Sequence, residues 1–264
     1  GVDHKDFLKK GTIDEIVYEK CSHLLDKSSI FISKQNSKTL NKIKKYTSKN
    51  SSKKFIFGLH YSFKKNDKNF IYKDKAGKIK LPLPNLQGDF QINNVTTAIA
   101  TARNLDGFNI TKNHIKSAIC KIKSEGRLQN ISKGKLRKYV FKNNRIIVDG
   151  AHNPLAAVQL KKYLKSLNSK KIIMILGMMY NKDHKEFINI LRNSVHSIIA
   201  LDIPNQINFI EKEKLVKIAR TCGVKAKTAI SIKEALQKIS KEDDSATIFC
   251  TGSLYFVGEI LNLN

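Results

Sequence analysis

The sequence of 264 residues contains no tryptophan, only four prolines and four cysteines, and no apolar run long enough to cross a bilayer. A spanning helix needs about 20 apolar residues, so we expect no membrane segment. The cysteines lie far apart without a Cys-x-x-Cys pair, which argues against a zinc site or disulfide framework and favours a reducing cytoplasm. No signal-peptide pattern is present, and because the chain begins with Gly1 rather than Met we expect further sequence upstream.

Two glycine-rich nucleotide-binding motifs are also missing. A Gly-x-Gly-x-x-Gly turn, which a nicotinamide-dependent Rossmann enzyme needs, does not occur in the sequence. A P-loop of the form Gly-x-x-x-x-Gly-Lys-Ser/Thr does not occur either. Any nucleotide chemistry of these 264 residues must therefore use other groups.

Arginine is scarce although the formal net charge is +27. Of the 49 Lys and Arg residues only six are Arg, whereas Arg is the usual residue for reading bases and clamping phosphates. The lysines are spread along the chain, which favours a solvated surface typical of an AT-rich genome, and we expect no nucleic-acid partner. A lysine-rich nucleic-acid-binding protein is the alternative, and its affinity would fall steeply with salt.

The hydrophobic pattern predicts two domains, residues 1–123 and 124–264, of mixed α/β class. In the second, strands and helices alternate, which predicts right-handed crossovers and a mostly parallel sheet. We expect strands at 127–132, 136–141, 146–148, 172–176, 197–201 and 246–250, with helices at 155–167, 185–192, 211–221, 232–239 and 254–261. In the first we expect helices at 12–25, 37–48, 91–105 and 111–122, strands at 28–33 and 54–59, and a hairpin at 70–81.

The most informative stretch is Asp149-Gly150-Ala151-His152-Asn153-Pro154, between an apolar strand and a helix. Asn153 and Pro154 fit an N-cap and a first helical residue, which an ordinary capped turn also explains. Such a turn places a carboxylate and an imidazole at the carboxyl end of a strand, where open α/β sheets bind ligands. Two further turns, Gly177–Asp183 and Thr251-Gly252-Ser253, follow apolar strands at the same predicted edge.

Four more side chains are candidates for chemistry. Lys20 lies seven residues after Ile13 on an apolar stripe, so it is either a snorkelling lysine or a desolvated, reactive amine. His4 is either a structural histidine or a metal ligand. Asn94, with Gln91 on the same helical face, either caps the helix or reads a nucleobase. Arg127, near the domain boundary, is either a surface residue or a phosphate clamp.

Together these pieces resemble the folylpolyglutamate synthase/dihydrofolate synthase family of muramyl-ligase-like, ATP-dependent amide ligases. The matching stretches occur in the family's order: Val2–Leu8, Glu19-Lys20, Gly88–Asn94, Gly126-Arg127-Leu128, Val148–Pro154, Lys182-Asp183 and Thr251–Tyr255. The resemblance implies the C-terminal part of a P-loop ATPase domain followed by a Rossmann-like muramyl-ligase C-terminal domain. It departs at Phe90, where the family usually has His, and in lacking the P-loop portion, so we expect this chain alone to be inactive.

The resemblance implies that ATP phosphorylates the terminal carboxylate of a pteroate or folate and that L-glutamate attacks the acyl phosphate. Its small-molecule partners would be ATP, L-glutamate and the pteroate or folate, with Mg²⁺ as cofactor and a monomeric, cytoplasmic enzyme. A muramyl-type cell-wall amino-acid ligase is the nearest alternative. The Asp3-His4 and Thr251–Tyr255 matches favour the folate branch.

The resemblance also implies a role for each candidate residue. His4 would be a magnesium ligand and Lys20 a lysine carboxylated on its side-chain nitrogen. Asn94 would contact ATP, while Arg127 and Asp149 would act at its phosphates and ribose. The residues on the glutamate side would be His152 and, as weaker candidates, Lys182, Asp183 and Ser253.

Overall fold

The structure, a computed structural model, describes residues 11–167, 169 and 171–264. His4 therefore lies outside the described residues. The chain divides into two units, residues 1–123 and residues 124–264. No helix in the described part is both long and apolar enough to cross a membrane.

The described part of the first unit holds four helices and five strands. They are α1 (Ile13–Ser22), β1 (Ser29–Ile32), α2 (Ser37–Tyr46), β2 (Lys53–Ile56), β3 (Ser62–Lys65), β4 (Asn69–Asp74), β5 (Gly77–Pro82), α3 (Phe90–Ala102) and α4 (Lys112–Lys121). Strands β1 and β2 pair in parallel, and β3, β4 and β5 form an antiparallel sheet. The predicted hairpin is confirmed as β4–β5, whereas β3 was not predicted.

Local signals explain where the helices of this unit begin. The Thr12 hydroxyl oxygen accepts a hydrogen bond from the Glu15 N–H, and the Glu15 carboxylate accepts one from the Thr12 N–H, so a capping box starts α1. Thr111 and His114 do the same for α4. The core lies where the inward faces of β4 and β5 meet apolar residues of α3 and α4.

The second unit is built on a six-stranded sheet. Its elements are β6 (Gln129–Asn130), β7 (Arg145–Asp149), α5 (Pro154–Ser166), β8 (Ile172–Leu176), α6 (His184–Leu191), β9 (Ser197–Ala200), α7 (Lys212–Thr221), β10 (Lys225–Thr228), α8 (Ile232–Glu242), β11 (Thr247–Thr251) and α9 (Leu254–Asn262). The strand order is β10-β9-β8-β11-β7-β6, and only β6 runs antiparallel to its neighbour. The α/β class and the mostly parallel sheet are confirmed.

The sheet of the second unit is buried on both faces, as parallel sheets are. Side chains alternate along each strand, so Ile146 and Val148 of β7 join a cluster that includes α8 and α9. Ile147, between them, is fully buried on the opposite face. The strands β8 and β11 are buried at every position. Because both faces of the sheet are packed, the carboxyl ends of its strands are held in fixed positions.

Two strand predictions for this unit were wrong. The predicted strand at 136–141 is instead a 3₁₀ helix at Lys135–Tyr139. The Arg137 guanidinium donates to the carbonyls of Phe141, Lys142 and Asn144, which closes this segment on itself instead of pairing it with a strand. The predicted strand at 127–132 shortens to β6.

The edge strand β10 was not predicted. Its sequence Lys-Ala-Lys-Thr carries no apolar alternation, which is typical of short, charged edge strands that resist further pairing.

Candidate functional site

The register of the sheet brings the three predicted turns to one edge. Thr251 of β11 pairs opposite Asp149 of β7 on one side and opposite Leu176 of β8 on the other. Parallel strands expose their carboxyl ends together, so the turns after β7, β8 and β11 start at the same level. The structure therefore collects a carboxylate, three glycine-containing turns and three helix N-termini within one unit.

Glycines allow these turns to pack closely. A Cβ on Gly177 would lie 2.9 Å from the Phe256 ring, and a Cβ on Gly150 would lie 2.7 Å from Cγ of Leu254. Gly252 has φ +111°, and a Cβ there would overlap the carbonyl oxygen of Gly177. The edge is thus tightly packed against the first turns of α9.

Asp149 is buried, and both of its carboxylate oxygens accept backbone hydrogen bonds. Oδ2 accepts from the Leu128 N–H at 2.9 Å, and Oδ1 accepts from the Ala151 N–H at 2.9 Å. Burial raises the pKa of the Asp149 carboxyl above its usual value, although the two backbone bonds and the nearby Arg127 and His152 act to lower it. Asp149 therefore joins two segments that are 21 residues apart in sequence.

We expect Asp149→Asn to lower the free energy of unfolding by about 1–3 kcal/mol. Asparagine has one acceptor oxygen, so its NH₂ group must face one of the two buried N–H donors. Urea denaturation at neutral pH measures the change. Asp244→Asn, at an exposed carboxylate in the same unit, is the control and should shift stability by less than about 0.5 kcal/mol.

The raised pKa of Asp149 also predicts how the destabilisation by Asp149→Asn changes with pH. Because the folded pKa of Asp149 is raised, the folded state binds its proton more strongly than the unfolded state does. This carboxyl therefore makes wild type less stable as the pH rises through that pKa, and Asn has no such titration. The stability gap between wild type and Asp149→Asn should widen on acidification toward that pKa, and a gap that narrows would contradict the assignment.

Arg127 is exposed on a turn that Asp149 helps to hold. The residues on either side of it both have left-handed backbones, with φ +65° at Gly126 and φ +48° at Leu128. The Gly126 N–H donates to Oε1 of Gln129 at 2.9 Å. The sequence did not point to Gln129, because nothing local marks an amide that closes a turn three residues back.

His152 follows Asp149 and is half-buried. Its Nδ1 lies 2.8 Å from the Gly150 carbonyl oxygen. A carbonyl can only accept, so this nitrogen carries a proton and donates to it. Asn153 caps α5 by accepting from the Ala156 N–H at 2.9 Å, as the sequence predicts.

The three candidates for the glutamate side lie at two other helix starts. Asp183 caps α6 by accepting from the Glu186 N–H at 3.2 Å, and Ser253 caps α9 by accepting from the Tyr255 N–H. Lys182 is half-buried beside Asp183. Burial lowers the pKa of His184, whose Nε2 lies 2.9 Å from the Met179 carbonyl oxygen, so this ring is neutral and structural.

In the first unit, the amides at the start of α3 form the predicted pair. The Nδ2 of Asn94 donates to Oε1 of Gln91 at 3.0 Å, with Gln91 buried and Asn94 exposed. Asp89 ends the preceding loop and forms an ion pair with Lys65. Asn94 thus presents its side chain to solvent from a fixed position.

Of the two interpretations of Lys20, the exposed side chain fits the snorkelling lysine and not the desolvated amine. The face of α1 that packs on α2 contains Asp14, which bonds Lys42 and Tyr46, together with Val17 and Tyr18. That face lies on a different side of α1 from the apolar stripe through Ile13 and Lys20 that the sequence predicts. Packing against α2 decided the orientation, which spacing within one helix does not encode.

A metal centre is not assembled by the described residues alone. Residues 11–167, 169 and 171–264 contain no group of three or more His, Cys, Asp or Glu side chains that could hold an ion. The predicted ligand His4 lies outside them. The described residues therefore do not by themselves fit a magnesium ion.

Comparison with known proteins gives consistent matches. The family model for the C-terminal domain of dihydrofolate synthetase matches residues 132–263. Dihydrofolate synthetase of Saccharomyces cerevisiae is 27% identical over 199 residues, covering 70% of this chain and 45% of the yeast protein. Folylpolyglutamate synthase of Lacticaseibacillus casei is 27% identical over 193 residues, covering 72% and 42% respectively.

Solved structures share the fold over the whole chain. Escherichia coli FolC in complex with DHPP and ADP has a TM-score of 0.79 at 21% identity, covering 99% of this chain and 59% of its own. Mycobacterium tuberculosis folylpolyglutamate synthase with ADP and AMPPCP has a TM-score of 0.82 at 18% identity, covering 100% and 62%. The chain spans about half the length of the curated relatives it matches.

Proposed function

This chain belongs to the folylpolyglutamate synthase/dihydrofolate synthase family, and on that premise we propose that its protein uses ATP to add L-glutamate to dihydropteroate, folates or both. The first unit would be the C-terminal part of the ATPase domain, and the second the ligase C-terminal domain. ATP would phosphorylate the substrate carboxylate. The glutamate amine would then attack the acyl carbon and release phosphate, leaving an amide.

The observation that carries this proposal is the turn that presents Arg127 beside Asp149. Phosphoryl transfer depends on positioning and on neutralising charge, and a guanidinium can clamp phosphate oxygens with two parallel bonds. Arg127 is exposed and therefore able to reach a nucleotide. Asp149, with both oxygens on backbone N–H groups, supports the turn, and we propose that it lies on the ribose side of the nucleotide.

We further propose that His152 serves the attack by glutamate. The amine is an ammonium at neutral pH and must lose a proton before it can attack. His152, whose ring is oriented by the Gly150 carbonyl in the turn after β7, would act close to that amine. Lys182, Asp183 and Ser253 would act on the glutamate side, because the caps at Asp183 and Ser253 fix helix N-termini that attract carboxylates.

Residues of the first unit have proposed roles of their own. Asn94 would contact ATP from the start of α3, and Lys20 would carry a carboxyl group on its nitrogen. Magnesium, if bound by that carboxylate and His4, would neutralise phosphate charge. The cytoplasmic location, the monomeric state and the lack of a nucleic-acid partner stay predictions.

An activity assay on the product of the complete gene tests the proposal. We expect glutamate-dependent release of one phosphate per amide formed when dihydropteroate or tetrahydrofolate is supplied with ATP. The two acceptors are assayed separately, so the same experiment shows whether the first glutamate, later ones or both are added. A UDP-linked muramyl acceptor is the comparison. Turnover with that acceptor and none with the two pteridines would establish the cell-wall alternative instead.

A further inference from the structure

Arg127 lies in a turn whose strained backbone is stabilised by contacts with other segments. Leu128 has φ +48°, a left-handed conformation in which the Cβ of an L-residue crowds its own carbonyl oxygen. Its side chain is 3% exposed, so it cannot relax without leaving the core. Gly126, on the other side of Arg127, is also left-handed, and its position is filled tightly by Val257 of α9. The path of the chain through Arg127 is thus held by its neighbours.

Three hydrogen bonds hold this path. Two come from the turn after β7: the Leu128 N–H donates to Asp149, and the Gly150 N–H donates to the Gly126 carbonyl at 2.8 Å. The third is local, from the Gly126 N–H to Oε1 of Gln129 at 2.9 Å. Gln129 is itself anchored, because its backbone pairs with Val148 of β7.

We propose that Gln129 is a positioning residue for Arg127. Its amide oxygen closes the turn from the far side and fixes the Glu125–Gly126 peptide group, one residue before Arg127. The guanidinium is then presented in one direction before the nucleotide arrives, so less conformational freedom is lost on binding. The proposal rests on the proposed role of Arg127 at the ATP phosphates.

A double-mutant cycle on the complete gene product tests the proposal. Gln129→Met keeps the length of the side chain and removes the acceptor oxygen, whereas Gln129→Glu keeps an oxygen at that position. We expect Gln129→Met to lower kcat/KM for ATP about tenfold, as misplacement of a catalytic group does. Combined with Arg127→Ala, it should cause no further loss. Gln129→Glu should recover most of the activity.

A purely structural amide would behave differently. It would lower the melting temperature and leave kcat/KM per folded molecule unchanged. If Gln129→Met instead lowered kcat/KM by a factor that multiplied with that of Arg127→Ala, Gln129 would act independently of Arg127. Either result would overturn the proposal. Asn130→Ala, at the exposed neighbouring amide, is the matched control and should leave kcat/KM unchanged. If Arg127→Ala itself had no effect, the proposed role of Arg127 would fail, which is a distinct outcome from failure of the Gln129 mechanism.

Discussion

We expect Gly252→Ala to destabilise the second unit by more than about 4 kcal/mol, one of the largest effects a single substitution can have. Gly252 has φ +111°, which L-residues rarely adopt. An added Cβ would overlap the carbonyl oxygen of Gly177 and approach the Leu176 and Met178 side chains to 2.8 Å. The carbonyl belongs to a strand end and cannot retreat, because the Gly177 N–H is itself bonded to Thr251. Thermal and urea unfolding followed by circular dichroism measure the loss.

Gly223→Ala separates the two causes. Gly223 also has a left-handed backbone, at φ +79°, but a Cβ there would meet nothing within 4 Å. This control carries the backbone strain alone, about 1–2 kcal/mol. We expect it to fold, whereas Gly252→Ala should lose at least twice as much stability or fail to accumulate as folded protein. Equal losses in the two variants would show that the close approach of the β8 and β11 turns is unimportant.

The second large effect concerns catalysis. In the product of the complete gene, Arg127→Ala should lower kcat by about 10²–10³-fold, the range seen when one donor to transition-state charge is removed. Stability should hardly change, because the side chain is exposed. Arg127→Lys keeps the charge but cannot hold a phosphate through two parallel hydrogen bonds. Its kcat should therefore lie between those of wild type and Arg127→Ala. Steady-state phosphate release gives kcat, and urea unfolding gives the stability.

Arg192→Ala is the matched control for this prediction. Arg192 is exposed like Arg127 but begins the 3₁₀ helix Arg192–Ser194 that comes before β9, so it lies on the amino side of the sheet, opposite the candidate site. Its removal takes away one positive charge without touching that site. We therefore expect kcat within twofold of wild type. A fall as large as that of Arg127→Ala would mean that overall charge, rather than a placed guanidinium, supports the reaction.

Much of the fold followed from local sequence signals. The caps at Thr12, Thr111 and Asn153 set helix starts because a side-chain oxygen must satisfy free N–H groups at those points. The apolar run of β8 predicted its bounds correctly. The failures have a common cause. Residues 136–141 carry apolar residues but lack a strand partner, and β10 has a partner but no apolar pattern.

The candidate site was only partly accessible from sequence. The motif pattern pointed to Asp149, Arg127 and His152, but it did not predict that Asp149 bonds the Leu128 and Ala151 backbone. It also placed Lys20 on the packed face of α1. Both differences depend on contacts with other segments. The roles of these residues in catalysis stay predictions.

By itself, the sequence determined the class of the fold, the helix starts and the identity of the turns, because each depends on residues within one turn or strand of each other. The tertiary structure decided the rest. Sheet register put the turns of β7, β8 and β11 at one edge, and packing on α2 rotated Lys20 outward. The Asp149 carboxylate, 21 residues away in sequence, accepts from the Leu128 N–H and so stabilises a left-handed backbone that leucine disfavours. Such contacts join segments that are far apart in the chain, so the conformational preferences of nearby residues do not predict them.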